Sequence, residues 1–276
     1  MSYQCPLCHH ALTPSTGGLA CENNHQFDRA KEGYVNLMPV QHKRSKEPGD
    51  NVEMMQARRR FLASDHYQKL REAVTDLCVI YTLNTPRQVL DIGCGEGYYT
   101  AYLADKLAAL SSCSTCYGLD ISKVAIRYAA KRYTSQHMQF CVASSQRLPF
   151  ADHSLDAVIR IYAPCEATEL ARVLSSQGII ITVTPAARHL YQLKELIYDN
   201  VQLHDETAES MAGFELIEEA KLNYDMALTG EQADDLLQMT PLAWKATAEL
   251  RRTLQTATQI IFEADFMIRV YKRVIN

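Results

Sequence analysis

Apolar and polar residues alternate along this chain with two periods, and the period changes several times. Residues 53–82 place apolar side chains such as Phe61 and Leu70 at helical spacing, and a break near Ser64 predicts two helices. From residue 87 onwards, short apolar runs end in glycine or an acid and alternate with amphipathic stretches. This alternation predicts an α/β fold with a parallel sheet that is covered by helices on both faces.

The predicted elements follow one another in a regular order. Strands are predicted for QVLDIG, CYGLDIS, MQFCVAS, LDAVIRIYA and GIIITVTP. Helices are predicted for YYTAYLADKLAAL, SKVAIRYAAKRY, ATELARVL and RHLYQLKELIYDN. The last two apolar segments, FELIEEAKLNYDMAL and QIIFEADFMIRVYKRV, alternate with a period of two. They predict an antiparallel pair that closes the sheet near its edge.

The first 36 residues contain three cysteines and are too few to bury a core unaided. The run Cys5-Pro-Leu-Cys8-His9 has the CxxCH spacing of haem attachment, but a haem site would leave the later cysteine and histidine unused. The longer pattern, C-x2-C-x12-C-x3-H, predicts a zinc ribbon with a structural metal, and His9 or His10 are alternative fourth ligands. The predicted ligands are Cys5, Cys8, Cys21 and His25.

The composition indicates an intracellular globular protein. The chain has 276 residues, nine cysteines and a net charge of −4, so the molecule is not basic throughout. No apolar run reaches the length of a membrane span and no signal peptide is apparent, so we expect a cytoplasmic protein without a membrane segment. The cysteines are then thiols or metal ligands, and we interpret Cys113 and Cys116 as ordinary thiols.

The stretch from Asp91 to Gly97 is the most informative part of the larger domain. Its glycines have the spacing GxGxG, which is shorter than the GxGxxG of dinucleotide sites. An acid at the strand end suits a ligand that carries an ammonium group, and Asp120 follows at a distance that suits ribose hydroxyls. The pattern therefore predicts S-adenosylmethionine as the cofactor, held by Asp91, Gly93, Gly95, Gly97 and Asp120. We also expect Leu148 to Phe150 to wall the adenine.

The cysteine-rich ribbon, the linker HQFDRAKEGYVNLMPVQHKRSKEPGD, the cofactor turn VLDIGCGEGYYT and the segment LLQMTPLAW together resemble the bacterial 23S ribosomal RNA (guanine-N1) methyltransferases. The resemblance runs from about residue 2 to the C-terminus. It implies a class I, Rossmann-like S-adenosylmethionine-dependent methyltransferase domain behind a small zinc ribbon. It also implies a homodimer, and a guanine in a hairpin of large-subunit RNA as the substrate. The cofactor contacts that it implies fall on Tyr67, Gly95, Glu96, Asp120 and His189.

On this interpretation, residues 1–36 are the zinc ribbon, 37–84 a linker and helical segment, and 85–276 the methyltransferase domain. A basic cluster before and within the first helix is expected to hold RNA phosphates, although a solvated helix face is an equal alternative. This cluster consists of Arg44, Arg58, Arg59 and Arg60. Tyr162 and Trp244 are candidates for stacking on an unpaired base. No residue of the sequence identifies itself as the general base.

Two alternative functions remain open at this point. A small-molecule methyltransferase would use the same cofactor turn but would have no need of the zinc ribbon or of the run of arginines. A non-catalytic RNA-binding protein that senses the cofactor would bind both ligands and transfer nothing.

Overall fold

The computed structural model describes residues 3–39, 51–82 and 87–274. Arg44, one of the predicted phosphate contacts, lies outside these residues. The N-terminal part forms a three-stranded antiparallel sheet whose strands are β1 (Thr13–Ser15), β2 (Gly18–Ala20) and β3 (Gln26–Asp28). Gly17 turns the chain between the first two strands with φ of +83°, a conformation that favours glycine.

Two helices follow, as the periodicity predicts. Helix α1 spans Val52–Ala63, and the side chain of Asn51 caps it by accepting a hydrogen bond from the backbone N–H of Met54 at 2.8 Å. Helix α2 spans Gln68–Tyr81. The two are separated by a tight turn in which Asp65 has a positive φ of 56°. This confirms the break that the sequence predicts near Ser64.

The central sheet has eight strands in the order β10-β11-β9-β8-β5-β6-β7-β4. The strands β4 to β9 run parallel to one another, whereas β11 is antiparallel to both β9 and β10. This confirms the predicted antiparallel pair at the edge. The strands are β4 (Val35–Asn36), β5 (Gln88–Ile92), β6 (Thr115–Asp120), β7 (Met138–Val142), β8 (Leu155–Ile161), β9 (Leu174–Pro185), β10 (Phe214–Leu228) and β11 (Ile260–Arg273).

Six further α-helices and one short 3₁₀ helix (Pro241–Trp244) are present in the described residues. The helices are α3 (Tyr98–Leu110), α4 (Lys123–Arg132), α5 (Ala167–Val173), α6 (Tyr191–Glu195), α7 (Gly230–Gln238) and α8 (Ala248–Thr256). The helix predicted for RHLYQLKELIYDN is thus much shorter than expected, because Leu190 adopts the left-handed conformation with φ of 54° and the helix begins only after it. None of the described helices combines the length and the apolar content that crossing a bilayer requires.

The N-terminal sheet, in the predicted ribbon, shares its core with the central sheet. Strand β4, at the end of the predicted ribbon, pairs with β7 and becomes the edge strand of the large sheet. The ring of Tyr3 packs against Tyr117 and Phe150, with ring centroids 5.8 and 5.5 Å apart. Buried apolar side chains of the ribbon therefore belong to the same cluster as side chains of β5, β6 and β8.

Candidate cofactor and acceptor site

A large cavity lies where the parallel strands β5 to β9 end. Its volume is about 1130 Å³, above the roughly 300–1,000 Å³ that is usual for a single small ligand. Its lining follows the strand order, from the ends of β7 and β6, past the glycine turn after β5, to the ends of β8 and β9. Parts of α1, Tyr67 just before α2, and the 3₁₀ helix close the cavity. The cavity can therefore hold a cofactor and a second ligand side by side.

The glycine turn after β5 forms one wall of this cavity. Gly93, Gly95 and Gly97 all have positive φ, with values of 71°, 54° and 84°. A Cβ on Gly93 would lie 2.8 Å from the Cβ of Ala163, whereas no protein atom lies within 4 Å of the position that a Cβ would take on Gly95. Gly95 therefore presents bare backbone to the cavity, and a ligand can lie flat against it.

Asp91 stands at the end of β5 and is only 3% exposed. Thr100 of α3 donates a hydrogen bond from its hydroxyl to the carboxylate at 2.6 Å. Burial raises the pKa of Asp91 to about 7, the Thr100 bond opposes this rise, and the neighbouring Asp120 adds to it. A buried carboxylate without a cationic partner in the described structure fits a ligand that brings its own positive charge.

Asp120 ends strand β6 and is held by backbone donors. Its two carboxylate oxygens accept hydrogen bonds from the N–H groups of Gly95 at 2.9 Å and Ser122 at 2.7 Å. Beyond it, Ser144 and Ser145 line the cavity after β7. The expectation that Leu148 to Phe150 wall the adenine is wrong, because Leu148 and Phe150 are buried in the core and have no part in the lining.

Glu96 directs its side chain away from the glycine turn. Its carboxylate lies 3.1 Å from Nε of Arg59 and 3.7 Å from a terminal nitrogen of Arg132, and its side chain is 1% exposed. Burial raises the pKa of Glu96, and the positive charges of Arg132 and Arg59 lower it. The carboxylate is thus engaged within the protein, and the backbone of Glu96 is the part available to a ligand.

Tyr67 and His189, which enter the prediction only through the resemblance, both line the cavity. Both pack against Phe266, with ring centroids 5.2 and 4.7 Å from its ring. Nδ1 of His189 accepts a hydrogen bond from the backbone N–H of Asp265 at 3.2 Å, which leaves the proton on Nε2. Burial lowers the pKa of His189 to about 3, so this ring is neutral.

The predicted RNA contacts have different surroundings. A terminal nitrogen of Arg58 donates to the carbonyl of Met239 at 3.0 Å, and Nε of Arg60 donates to both carboxylate oxygens of Asp235 at 3.0 Å. Arg59 pairs with Glu96 and also stacks over Tyr128, 4.6 Å from the ring centroid.

The two aromatic candidates occupy different parts of the site. Tyr162 lines the cavity at the end of β8, with φ of 57°. Trp244 is 75% exposed and ends the 3₁₀ helix whose first residues line the rim.

Two further side chains line the cavity that sequence reasoning did not find, Lys194 on α6 and His204 in the following loop. Nζ of Lys194 lies 2.6 Å from Nε2 of His204. No spacing signal could have found this pair, because Lys194 is one polar residue of an ordinary helical pattern and His204 is an isolated residue in the loop that follows.

The ribbon brings Cys5, Cys8, Cys21 and His25 into one cluster, with their ligand atoms within 4.8 Å of one another. Nδ1 of His25 lies 3.3–3.5 Å from the three sulfurs. Tetrahedral zinc with bonds of about 2.3 Å to sulfur and 2.0–2.1 Å to nitrogen places such atoms about 3.5 Å apart. The cluster therefore fits zinc. Because four protein ligands fill the tetrahedral coordination, no position remains open for a substrate, and the metal is structural.

The alternative fourth ligands do not take part in this cluster. His10 instead pairs with Glu22, with 2.9 Å between Nε2 and the carboxylate, and contacts Asn23 at 3.1 Å. His9, the histidine of the CxxCH run, is outside the cluster as well. Because the cluster uses both Cys21 and His25, the zinc interpretation accounts for residues that haem attachment leaves out.

Comparisons with known proteins agree with this geometry. The family model of the RlmA N-terminal zinc ribbon matches residues 3–46, and the methyltransferase domain model matches residues 84–250. The 23S rRNA (guanine(748)-N(1))-methyltransferase of Streptomyces fradiae is 30% identical over 247 residues, which cover 87% of this chain and 85% of that protein.

Two further relatives cover most of the chain, and both are named as candidate 23S rRNA (guanine-N(1)-)-methyltransferases. The protein from Micromonospora griseorubida is 31% identical over 264 residues, 87% of this chain and 86% of its own length. YxjB of Bacillus subtilis is 29% identical over 284 residues, 96% of both chains. The chain therefore belongs to the family of S-adenosylmethionine-dependent methyltransferases that carry an RlmA-type zinc ribbon, in which these relatives bear the name 23S rRNA (guanine-N1)-methyltransferase.

Proposed function

We propose that this protein transfers a methyl group from S-adenosylmethionine to N1 of a guanine in a hairpin loop of 23S ribosomal RNA. The observation that carries the proposal is a single cavity with two chemically different ends. One end, at the carboxyl ends of β5, β6 and β7, has two buried or half-buried acids and the glycine turn, and the other, beyond the ends of β8 and β9, has Tyr162, two histidines and a lysine. The family membership adds the class of acceptor.

The first end suits the cofactor. S-adenosylmethionine, when bound, supplies an electrophilic methyl group on a positively charged sulfur. In this proposal Asp91 holds the ammonium group and Asp120 accepts from the ribose hydroxyls. Gly93, Gly95 and Gly97 let the backbone approach the ligand, together with the backbone of Glu96. Tyr67 and His189 would contact the cofactor from the side on which the acceptor binds.

The second end suits a nucleobase that has left its helix. N1 of guanine lies on the pairing edge, so the acceptor must be unpaired or extruded, and an unpaired loop base costs least. Tyr162 is half exposed to the cavity and would stack on such a base. Most of the rate enhancement would then come from positioning the base against the methyl group in a site that excludes water.

The RNA backbone would bind around the cavity mouth. We propose Arg44, Arg58, Arg59 and Arg60 as phosphate contacts and Trp244 as a stacking surface outside the cavity. The carboxylates of Glu96 and Asp235 already neutralise Arg59 and Arg60, so a phosphate would gain less from these two arginines unless their pairs rearrange. The resemblance further leads us to propose a homodimer that acts in the cytoplasm.

The test is methyl transfer itself. The purified protein is incubated with isotopically labelled donor and unmodified 23S transcripts, and in parallel with a small-molecule extract. Because a methyl group on N1 blocks pairing, reverse transcription should stop at one guanine in a hairpin loop. Label in the extract alone would identify a small-molecule methyltransferase. Binding of donor and RNA without any transfer would identify a cofactor-sensing RNA-binding protein.

A further inference from the structure

Methylation of guanine N1 requires a proton acceptor, and the acids of the cavity are already engaged. As the N1–carbon bond forms, the carbon–sulfur bond breaks with its electron pair on sulfur, and the proton of N1 must leave. Asp91, Glu96 and Asp120 are the carboxylates among the described lining residues. They bind Thr100, two arginines and two backbone N–H groups, respectively.

The Lys194–His204 pair lies on the β9 side of the cavity, which the strand order places two strands from the glycine turn after β5. The ring of His204 lies next to that of His189, with centroids 6.4 Å apart. The centroid of the His189 ring lies 6.2 Å from that of Tyr162. The pair is therefore close to the surface on which the acceptor base would stack. Nζ of Lys194 and Nε2 of His204 are 2.6 Å apart, which is within hydrogen-bonding distance.

The loop that carries His204 is fixed to the chain after β9. The backbone N–H of His204 donates to the carbonyl of Ala187 at 3.1 Å, and the N–H of Ala187 donates to the carboxylate of Glu206 at 2.8 Å. These bonds hold the imidazole against the amine. His204 thus acts as an anchor that limits where Nζ of Lys194 can lie.

The surroundings of Lys194 shift its amine towards the neutral form. Burial lowers the pKa of Lys194, and burial together with Lys194 lowers the pKa of His204, an effect that the carboxylate of Asp265 partly opposes. A positively charged ligand at the other end of the cavity would lower the pKa of the amine further.

We propose that the amine of Lys194, positioned by His204, accepts the N1 proton of the guanine during methyl transfer. Neutral Lys194 donates one N–H to Nε2 of His204 and keeps its lone pair for the proton. The product state is an ammonium group that still donates to His204. This inference rests on the proposed function, because it supposes a guanine at this end of the cavity.

The test uses Lys194→Arg, Lys194→Ala and His204→Gln, with Lys106→Ala on the surface of α3 as the matched control. Single-turnover methylation by Lys194→Arg should fall by about 10²–10⁴-fold, since arginine keeps the charge but cannot act as a base. Small primary amines should restore part of the rate of Lys194→Ala. His204→Gln should change the pH profile of the reaction, and the control should react as the wild type does.

A second readout is independent of the reaction. Carbon-13 NMR of labelled lysines should show one resonance that is missing in Lys194→Ala and that titrates below the other lysines. An ordinary titration of Lys194, or full activity of Lys194→Arg, would overturn the inference while the wild type still methylates N1. A wild-type protein that does not methylate guanine at all would refute the proposed function instead.

Discussion

The carboxylate of Glu96 lies 3.1 Å from Nε of Arg59, and this contact joins the glycine turn of the cofactor site to helix α1. The carboxylate is almost completely buried, and Arg132 at the end of α4 approaches it from the other side at 3.7 Å. A segment proposed to bind RNA is therefore connected to the turn that holds the cofactor. The connection makes Glu96 a positioning residue for the turn.

We predict that Arg59→Ala reduces the free energy of unfolding by about 1–3 kcal/mol. The variant leaves the buried carboxylate of Glu96 with Arg132, which lies farther away at 3.7 Å. It should also weaken the binding of S-adenosylhomocysteine, since the turn loses its tie to α1. Urea denaturation and calorimetry measure the two effects. Arg127→Ala is the matched control, because the Arg127–Glu32 pair has an arginine that is 61% exposed and should contribute little to stability. Equal losses in both variants would contradict the prediction.

The zinc site gives a second prediction. Cys21→Ala should abolish the stoichiometric zinc and lower the melting temperature, because the ribbon shares its buried side chains with the central sheet. A chelator should have the same effect on the wild type, reversed by added zinc. Cys113→Ala is the control, since Cys113 is exposed and lies outside the cluster. A protein that keeps its full stability after complete loss of zinc would show that the metal is not structural.

Much of this fold follows from the sequence because burial imposes a pattern on it. Helix α3 and strand β10 have the bounds that the periodicity predicts, since each has a regular alternation over many residues. The glycine turn could also be predicted from the sequence, because backbone with a positive φ favours glycine. The pair of Lys194 and His204 could not be predicted, since it depends on how α6 and the loop after it fold back beyond the end of β9. The same holds for the partners of Arg59 and Arg60, which are distant in sequence.

A third prediction concerns the pH dependence of cofactor binding. Burial raises the pKa of Asp91 to about 7 in the protein without ligand, so the carboxyl is largely protonated below that pH. An ammonium group prefers the ionised form, so binding must release this proton when the pH is below 7. The affinity for S-adenosylhomocysteine should therefore rise by up to about tenfold per pH unit towards pH 7 and level off above it.

Calorimetry between pH 5.5 and 8.5, in buffers with different ionisation enthalpies, measures both the affinity and the proton release. Asp91→Asn should bind more weakly and should lose the dependence on pH, because asparagine cannot titrate. Thr100→Val is a useful second variant, since the Thr100 bond favours the ionised form and its loss should move the transition to higher pH. An affinity that is constant across this window would refute the assignment of Asp91 to the ammonium group.

The arginines of α1 give a fourth prediction. If Arg60 holds a phosphate, Arg60→Ala should reduce the slope of log K against log salt for RNA binding by about 0.7–0.9. Asp235→Asn should make the slope steeper, because it removes the carboxylate that neutralises Arg60. A slope that neither variant changes would leave Arg60 with the single role of tying α1 to α7.

Trp244 gives the last prediction. Its side chain is 75% exposed at the end of the 3₁₀ helix, next to residues that line the rim of the cavity. A large aromatic ring that gains little from the protein core is available to stack on a base, which contributes about 1–3 kcal/mol. Trp244→Ala should thus weaken the binding of the hairpin by about 5- to 150-fold, as measured by fluorescence anisotropy, and should leave the melting temperature unchanged.

Leu110→Ala is the control, because Leu110 is also exposed but ends α3, about 20 Å along the helix from the glycine turn. If both variants bind RNA as the wild type does, the RNA does not pass over the 3₁₀ helix, and its path must be sought along the zinc ribbon.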